Sequence, residues 1–141
     1  MNFKKTMMAA FLAVTLPAVA SAADARREAI LNDFAAQAKA ADPAFAGFSA
    51  QRGEKLFRTK WAGGDARTAS CTACHTEDPR KPGQNAKTGR AIEPVAVSAN
   101  PKRFTDKAEV EKQFGRDCKS VLGRECTALE KGDYITFMAE Q

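Results

Sequence analysis

Cys71-Thr72-Ala73-Cys74-His75 is the stretch on which the reading of this chain turns. Two thiols stand three residues apart and a histidine follows the second. On a helical turn, residues three apart share a face. Both thiols can therefore reach one planar group, and the next residue brings an imidazole to the same place. C-x-x-C-H is the spacing at which c-type haem is attached, with the thiols on the porphyrin vinyl groups and the histidine on the proximal side of the iron. His75 is the only histidine in 141 residues. Cys71 and Cys74 are thus the expected thioether positions, His75 the expected proximal ligand, and one covalent haem c the expected cofactor. A thioredoxin-like Cys-x-x-Cys needs a βαβ context, which the surrounding sequence lacks. Zinc needs four nitrogen or sulfur ligands, and only Cys118 and Cys126 remain to complete such a set.

Upstream, residues 1–22 read as a secretory signal peptide. Lys4 and Lys5 give a positive start, Met7 to Ala20 is apolar, and Ala20-Ser21-Ala22 is a small-residue cleavage pattern. The apolar run is shorter than the ~20 residues a spanning helix requires. Cleavage leaves 119 residues, one domain's worth, with a charge of +3 against +5 for the whole chain. That mild excess does not read as nucleic-acid binding, and the mature chain has no run long enough to span a bilayer. The expected location is the periplasm, where disulfides persist. Hydrophobic and charged fractions of 44% and 28% exclude collagen-like, coiled-coil and fully disordered classes.

The mature chain reads as all-α with long loops. Ile30, Leu31, Phe34 and Ala38 mark an amphipathic helix over 24–41, ended by Asp42-Pro43. A second helix runs from near Ser49 to about Lys60, and Gly63-Gly64-Asp65 breaks it. A short helical turn carries Cys71–His75. Four of six prolines fall in 78–101, which predicts an irregular loop. A helix follows over about 106–117, with Thr105 as its N-cap and Val110 and Phe114 on one face. The last helix opens on Thr127-Ala128-Leu129-Glu130, a capping box, and continues through Met138. No strand is expected. The division is 1–22 signal peptide, 23–48 N-terminal helical extension, and 49–141 haem domain. Such a small chain has a thin core, which an internal apolar cofactor would fill.

With two thiols committed to haem, Cys118 and Cys126 form an even remainder, and a local disulfide is the expected outcome. It closes a short loop and contributes roughly 2.5 kcal/mol on the chain-entropy estimate. The sixth ligand is the open question. With His75 used, ligation by two histidines of one chain is excluded, as is a distal histidine of the peroxidase kind. The one mature methionine, Met138, lies among Tyr134, Ile135 and Phe137 on the last helix, where methionine usually fills core. The loop between Gly83 and Phe104 holds no Met or His, but does hold Asn85, Lys87, Ser98, Asn100 and Lys102. The iron is therefore either five-coordinate or weakly held, and either state admits a diatomic gas. Of the basic residues near the motif, Arg90 is the candidate for a haem propionate, since guanidinium pairs well with carboxylate.

Gly53-Glu54-Lys55-Leu56-Phe57 ahead of the haem motif, with a C-terminal helix carrying Tyr134, resembles the class I cytochrome c fold. In that fold a glycine of the N-terminal helix lets an aromatic of the C-terminal helix pack closely. The likeness is closer to the sphaeroides haem protein type. It is carried by Lys87-Thr88-Gly89-Arg90, by Asn100-Pro101-Lys102-Arg103-Phe104-Thr105-Asp106, and by Val110-Glu111 and Phe114. Cys118, Leu122-Gly123, Cys126 and Glu130-Lys131 extend it over most of 50–140. This resemblance implies a high-spin monohaem cytochrome with Asn100 as distal iron ligand, released on reduction so that oxygen or nitric oxide binds. It also implies a Cys118–Cys126 disulfide. Spacing alone does not choose Asn100 over Asn85.

The leading expectation is an exported haem protein that takes electrons from a donor cytochrome, multihaem or otherwise, and binds a small ligand at iron. One alternative is a plain electron carrier with a closed six-coordinate haem, using Met138 or a lysine. Another is a haem oxidoreductase acting on oxygen, peroxide or nitrogen oxides, although no histidine is left for distal proton transfer. The four-helix cytochrome c′ type is set aside, because its haem motif lies near the C-terminus and here 66 residues follow His75.

Overall fold

The computed structural model describes residues 21–141. The expected signal peptide lies outside them, apart from Ser21 and Ala22. The helices are α1 (Ala22–Ala41), α2 (Ala50–Arg58), α3 (Thr72–His75), α4 (Lys107–Leu122) and α5 (Ala128–Ala139). A 3-10 turn at Ala66–Thr68 precedes α3.

Local signals set most helix ends. The Ser49 hydroxyl accepts the Arg52 amide at the start of α2. Thr127 and Glu130 close the capping box of α5, each satisfying an otherwise orphaned amide. A similar box between Ser21 and Asp24 opens α1. Two ends differ from expectation. The N-cap of α4 is Asp106 rather than Thr105, whose hydroxyl instead donates to the Lys102 carbonyl. The same helix runs past Asp117 to Leu122. Cys118, Val121 and Leu122 continue the buried stripe begun by Val110 and Phe114, and Gly123 ends it in the left-handed conformation at φ +74°.

Strand is also present, in two-residue pieces too short to show a periodicity. β1 (Gly83–Gln84) pairs antiparallel with β2 (Ala91–Ile92), with Gly83 opposite Ile92. The intervening turn is closed by Asn85 N–H to the Arg90 carbonyl at 2.8 Å and by Gly89, at φ +71°.

The core is built where α2 crosses α5. A side chain on Gly53 would place its Cβ 2.0 Å from the Asp133 carbonyl oxygen and 2.8 Å from Phe137 Cβ. The helices therefore touch backbone to backbone, and only glycine fits. Phe137 is the aromatic at that contact. Tyr134 lies one turn away and meets Phe57, Phe104 and Phe114 edge-on at 6.1, 6.1 and 5.5 Å between ring centroids. Asp133, almost fully buried, ties the crossing together by accepting from Arg52 Nε and Nη2 at 2.7 and 2.8 Å and from Ser49 N–H at 2.7 Å. Helix α1 packs on α5, and its Ile30 and Phe34 join the same hydrophobic cluster as Phe57, Val110, Phe114 and Ile135. The N-terminal segment therefore shares one core with the rest of the chain.

Candidate functional site

The main cavity measures about 1090 Å³ and lies between α3, the β1–β2 hairpin, the loop after Ile92, and α4. Cys71, Cys74 and His75 all line it, as does Arg90. The 3-10 turn and α3 form one compact segment. Thr68 and Ser70 are buried on it, and Thr68 Oγ1 donates to the Ser120 carbonyl at 3.0 Å, which fixes α3 to α4. From the other side β1 presses on α3. A Cβ at Gly83 would lie 2.0 Å from the Cys74 carbonyl oxygen. Ala86 N–H also points at Cys74 Sγ, 3.4 Å away.

Leu56, Val95, Phe104, Val110, Phe114 and Tyr134 give the cavity an apolar wall, and its charged lining includes Lys87, Arg90, Lys102 and Arg103 as well as Asp65, Asp106, Glu109 and Asp117. An apolar wall with cationic side chains among its lining suits a flat macrocycle bearing carboxylates. Withdrawal from water pushes the Cys71 thiol up to about 12, so it stays protonated rather than acting as a thiolate nucleophile. Loss of water around the ring pushes His75 down to about 4, and the positive charge of Arg103 adds to this. Its imidazole is neutral at pH 7, with a lone pair available to a metal. Two free thiols and one neutral imidazole in an apolar cavity of this size fit a covalent haem. Among the described residues no cluster of three or more His, Cys, Asp or Glu could hold an ion, which leaves the zinc alternative without a site. Cys118 and Cys126 are bonded to one another, closing the end of α4 onto the start of α5.

The remaining candidate ligands separate clearly. Met138 is fully buried in the core and does not line the cavity. Asn85 does line it, but its carboxamide oxygen accepts the amides of Lys87 and Thr88, both at 2.9 Å. Asn100 is half-buried and is not among the residues that line the cavity, whereas Lys102, Arg103 and Phe104 of the same loop line it. Its backbone is held on both sides, to the Ala96 carbonyl and from the Arg103 amide, each at 3.0 Å. Its side chain has no hydrogen-bond partner among the described residues. Two arginines fix this loop, and sequence reasoning missed both roles. Arg103 donates to the Glu93 and Pro94 carbonyls at 2.6 and 2.9 Å. Arg27 of α1 donates to the Pro101 and Arg103 carbonyls at 2.8 and 3.2 Å. An arginine inside the apolar stripe of a helix was the one available signal.

Residues 43–138 match the model of a family described as a domain of unknown function, DUF1924. Cytochrome c-type protein SHP of Cereibacter sphaeroides is 50% identical over 92 residues, covering 65% of this chain and 70% of that protein. The structure of oxidised SHP, described as an oxygen-binding cytochrome c, superimposes with a TM-score of 0.74 at 43% identity, covering 82% of this chain and 96% of SHP. The chain belongs to the SHP family of c-type cytochromes. As in that family its cofactor is covalently bound haem c, and its fold is the helical, class I-like one of SHP. Cytochrome c″ of Methylophilus methylotrophus is a second relative, 34% identical over 134 residues, or 95% of this chain and 92% of that protein. Its solution structure, which addresses the structural basis of haem-ligand detachment, matches with a TM-score of 0.71 at 31% identity and covers 83% and 94% of the two chains. Among the described residues no helix is long and apolar enough to cross a membrane.

Proposed function

We propose that this SHP-family cytochrome is exported to the periplasm by residues 1–22, accepts electrons from a donor cytochrome, and binds a small ligand, oxygen or nitric oxide, at an iron whose distal protein ligand is displaceable. When bound, haem c would supply a redox-active iron. Cys71 and Cys74 would hold the macrocycle through thioether links, His75 would ligate the iron through its imidazole, and the Asn100 carboxamide oxygen would be the second, displaceable protein ligand. Arg90 would pair with a propionate; it lines the cavity, is exposed, and makes no ion pair among the described residues.

The single observation that carries this reading is the contrast between the two asparagines. Asn85 spends its oxygen on its own turn, while Asn100, on the loop whose Lys102, Arg103 and Phe104 line the cavity, keeps its carboxamide uncommitted among the described residues. A neutral amide oxygen is a hard, weak donor that holds ferric iron better than ferrous iron. Asn100 would therefore be held less firmly by reduced iron, and its amide N–H₂ would then be free to donate a hydrogen bond. Two facts about the relatives agree: SHP is described as oxygen-binding, and ligand detachment is studied in cytochrome c″. The plain-carrier reading that uses Met138 gains nothing from the fold, because that side chain is sealed in the core.

Asn100→Ala is the test. The ferric absorption spectrum shifts and imidazole binds the ferric protein faster, by about tenfold or more. An unchanged ferric spectrum and unchanged ligand rates overturn the assignment of Asn100. Failure of the ferrous protein to bind carbon monoxide overturns the whole ligand-binding reading.

A further inference from the structure

We infer that Arg27, on the N-terminal helix, is the positioning residue of the distal side. It sets the conformation of the loop that carries Asn100 and so controls how firmly the iron is closed off. The inference rests on the reading of Asn100 given above. Arg27 is 5% exposed. Each of its three guanidinium nitrogens has one acceptor: Nη1 the Asp24 carboxylate at 2.7 Å, Nη2 the Pro101 carbonyl at 2.8 Å, and Nε the Arg103 carbonyl at 3.2 Å. A buried guanidinium needs a hydrogen-bond partner at each nitrogen. The three bonds therefore fix where the group sits, and with it two peptide groups that begin one residue after Asn100.

A second observation comes from the backbone. Phe104, whose peptide bond carries the Arg103 carbonyl, has φ +59°, a conformation that costs a bulky residue free energy and persists only where neighbours enforce it. Arg27 grips that peptide from the α1 side, and Tyr134 meets the Phe104 ring edge-on from the cavity side. Released from Arg27, Phe104 relaxes out of the left-handed region and the 101–104 peptides turn. Pro101 lacks an N–H, so its carbonyl is the only backbone group through which that residue can be held. Arg103 ties the other end of the loop to Glu93 and Pro94 but does nothing for its own carbonyl or for that of Pro101. A neutral amide oxygen would be a weak ligand for the iron, so a small displacement of its loop would shift the balance between bound and free.

The fork is what matters, not the charge. Lysine keeps the charge but presents a compact ammonium that does not match two carbonyls held at a fixed separation. The experiment compares holoprotein carrying Arg27→Lys, Arg27→Ala, Asn100→Ala and the double substitution Arg27→Lys with Asn100→Ala. Ile30→Ala is the control; it weakens α1 packing from the same buried stripe and removes none of the three Arg27 hydrogen bonds. The readouts are the ferric spectrum and the rate of imidazole binding to the ferric protein. Arg27→Lys and Arg27→Ala are expected to raise that rate at least about threefold and to move the ferric band toward that of Asn100→Ala. In the double variant Arg27→Lys adds nothing, because its effect passes through Asn100. The inference falls if the Arg27 variants lose stability but keep the wild-type spectrum and rate, if Ile30→Ala has the same kinetic effect, or if the effects of Arg27→Lys and Asn100→Ala simply multiply. It fails alone when Asn100→Ala changes the spectrum and the Arg27 variants do not. When Asn100→Ala itself changes nothing, the reading of the distal ligand fails and takes this inference with it.

Discussion

Replacing glycine by alanine at two positions should move stability in opposite directions. At Gly53 the added Cβ would lie 2.0 Å from the Asp133 oxygen and 2.6 Å from its carbonyl carbon. Ordinary contact begins at 3.4 Å, so α2 and α5 must part by about 1.4 Å. The obstacle is main chain facing main chain, so no rotamer change relieves it. Overpacking of this kind costs about 1–3 kcal/mol, and this case belongs at the upper end. Better helix propensity returns about 1 kcal/mol. The net expectation for Gly53→Ala is a loss of about 2 kcal/mol. At Gly115, in the middle of α4, a Cβ meets nothing within 4 Å, so Gly115→Ala keeps the propensity gain of about 1 kcal/mol. Urea unfolding of the ferric holoprotein, followed by far-ultraviolet circular dichroism and the Soret band, measures both. The two variants should differ by about 3 kcal/mol with an unchanged urea dependence. A Gly53→Ala protein within 0.5 kcal/mol of wild type, on the order of ordinary surface substitutions, refutes the claim that α2 and α5 touch backbone to backbone. So does a shift of the same sign in both.

Two further predictions concern α4 and α5. Removing the Cys118–Cys126 bridge by double serine substitution costs about 2.5 kcal/mol, as expected for so short a loop; urea unfolding under non-reducing conditions checks it, and no loss of stability refutes it. The Glu130 carboxyl is held below its ordinary value of 4.5, first by the Arg124 guanidinium and then by the Thr127 amide. Its stabilisation is complete above that ordinary value and is lost as pH falls through the lower folded value. Glu130→Gln should therefore weaken the protein at pH 7 and flatten the acid limb of its stability curve below about pH 5; a limb as steep as that of wild type refutes the pairing.

How far the site could be read in advance depends on how far apart in sequence its parts lie. The haem motif is complete within five residues, and the capping box at Thr127 within four. Both work through groups on one helical turn, so the letters alone carried them. The end of α4 was readable in principle from Val110, Phe114, Cys118, Val121 and Gly123. The expectation of an end near Asp117 falls short because Cys118 belongs both to the helix and to the disulfide-closed segment that follows it. The β1–β2 hairpin was not readable, since a two-residue strand has no alternation to detect.

Local chemistry in the chain pointed to haem c as the cofactor, to Cys71 and Cys74 as the proposed points of attachment, to a helical fold around it, and to His75 as the one histidine the sequence offers. Tertiary structure alone decided which asparagine is free and which is committed to a turn. It also sealed Met138 away in the core and brought an arginine of the first helix onto the loop that carries Asn100. The bonds from Arg27 to Pro101 and Arg103 span 74 and 76 residues. Contacts that distant leave no local pattern, because they depend on where α5 holds both α1 and the loop once the core has closed.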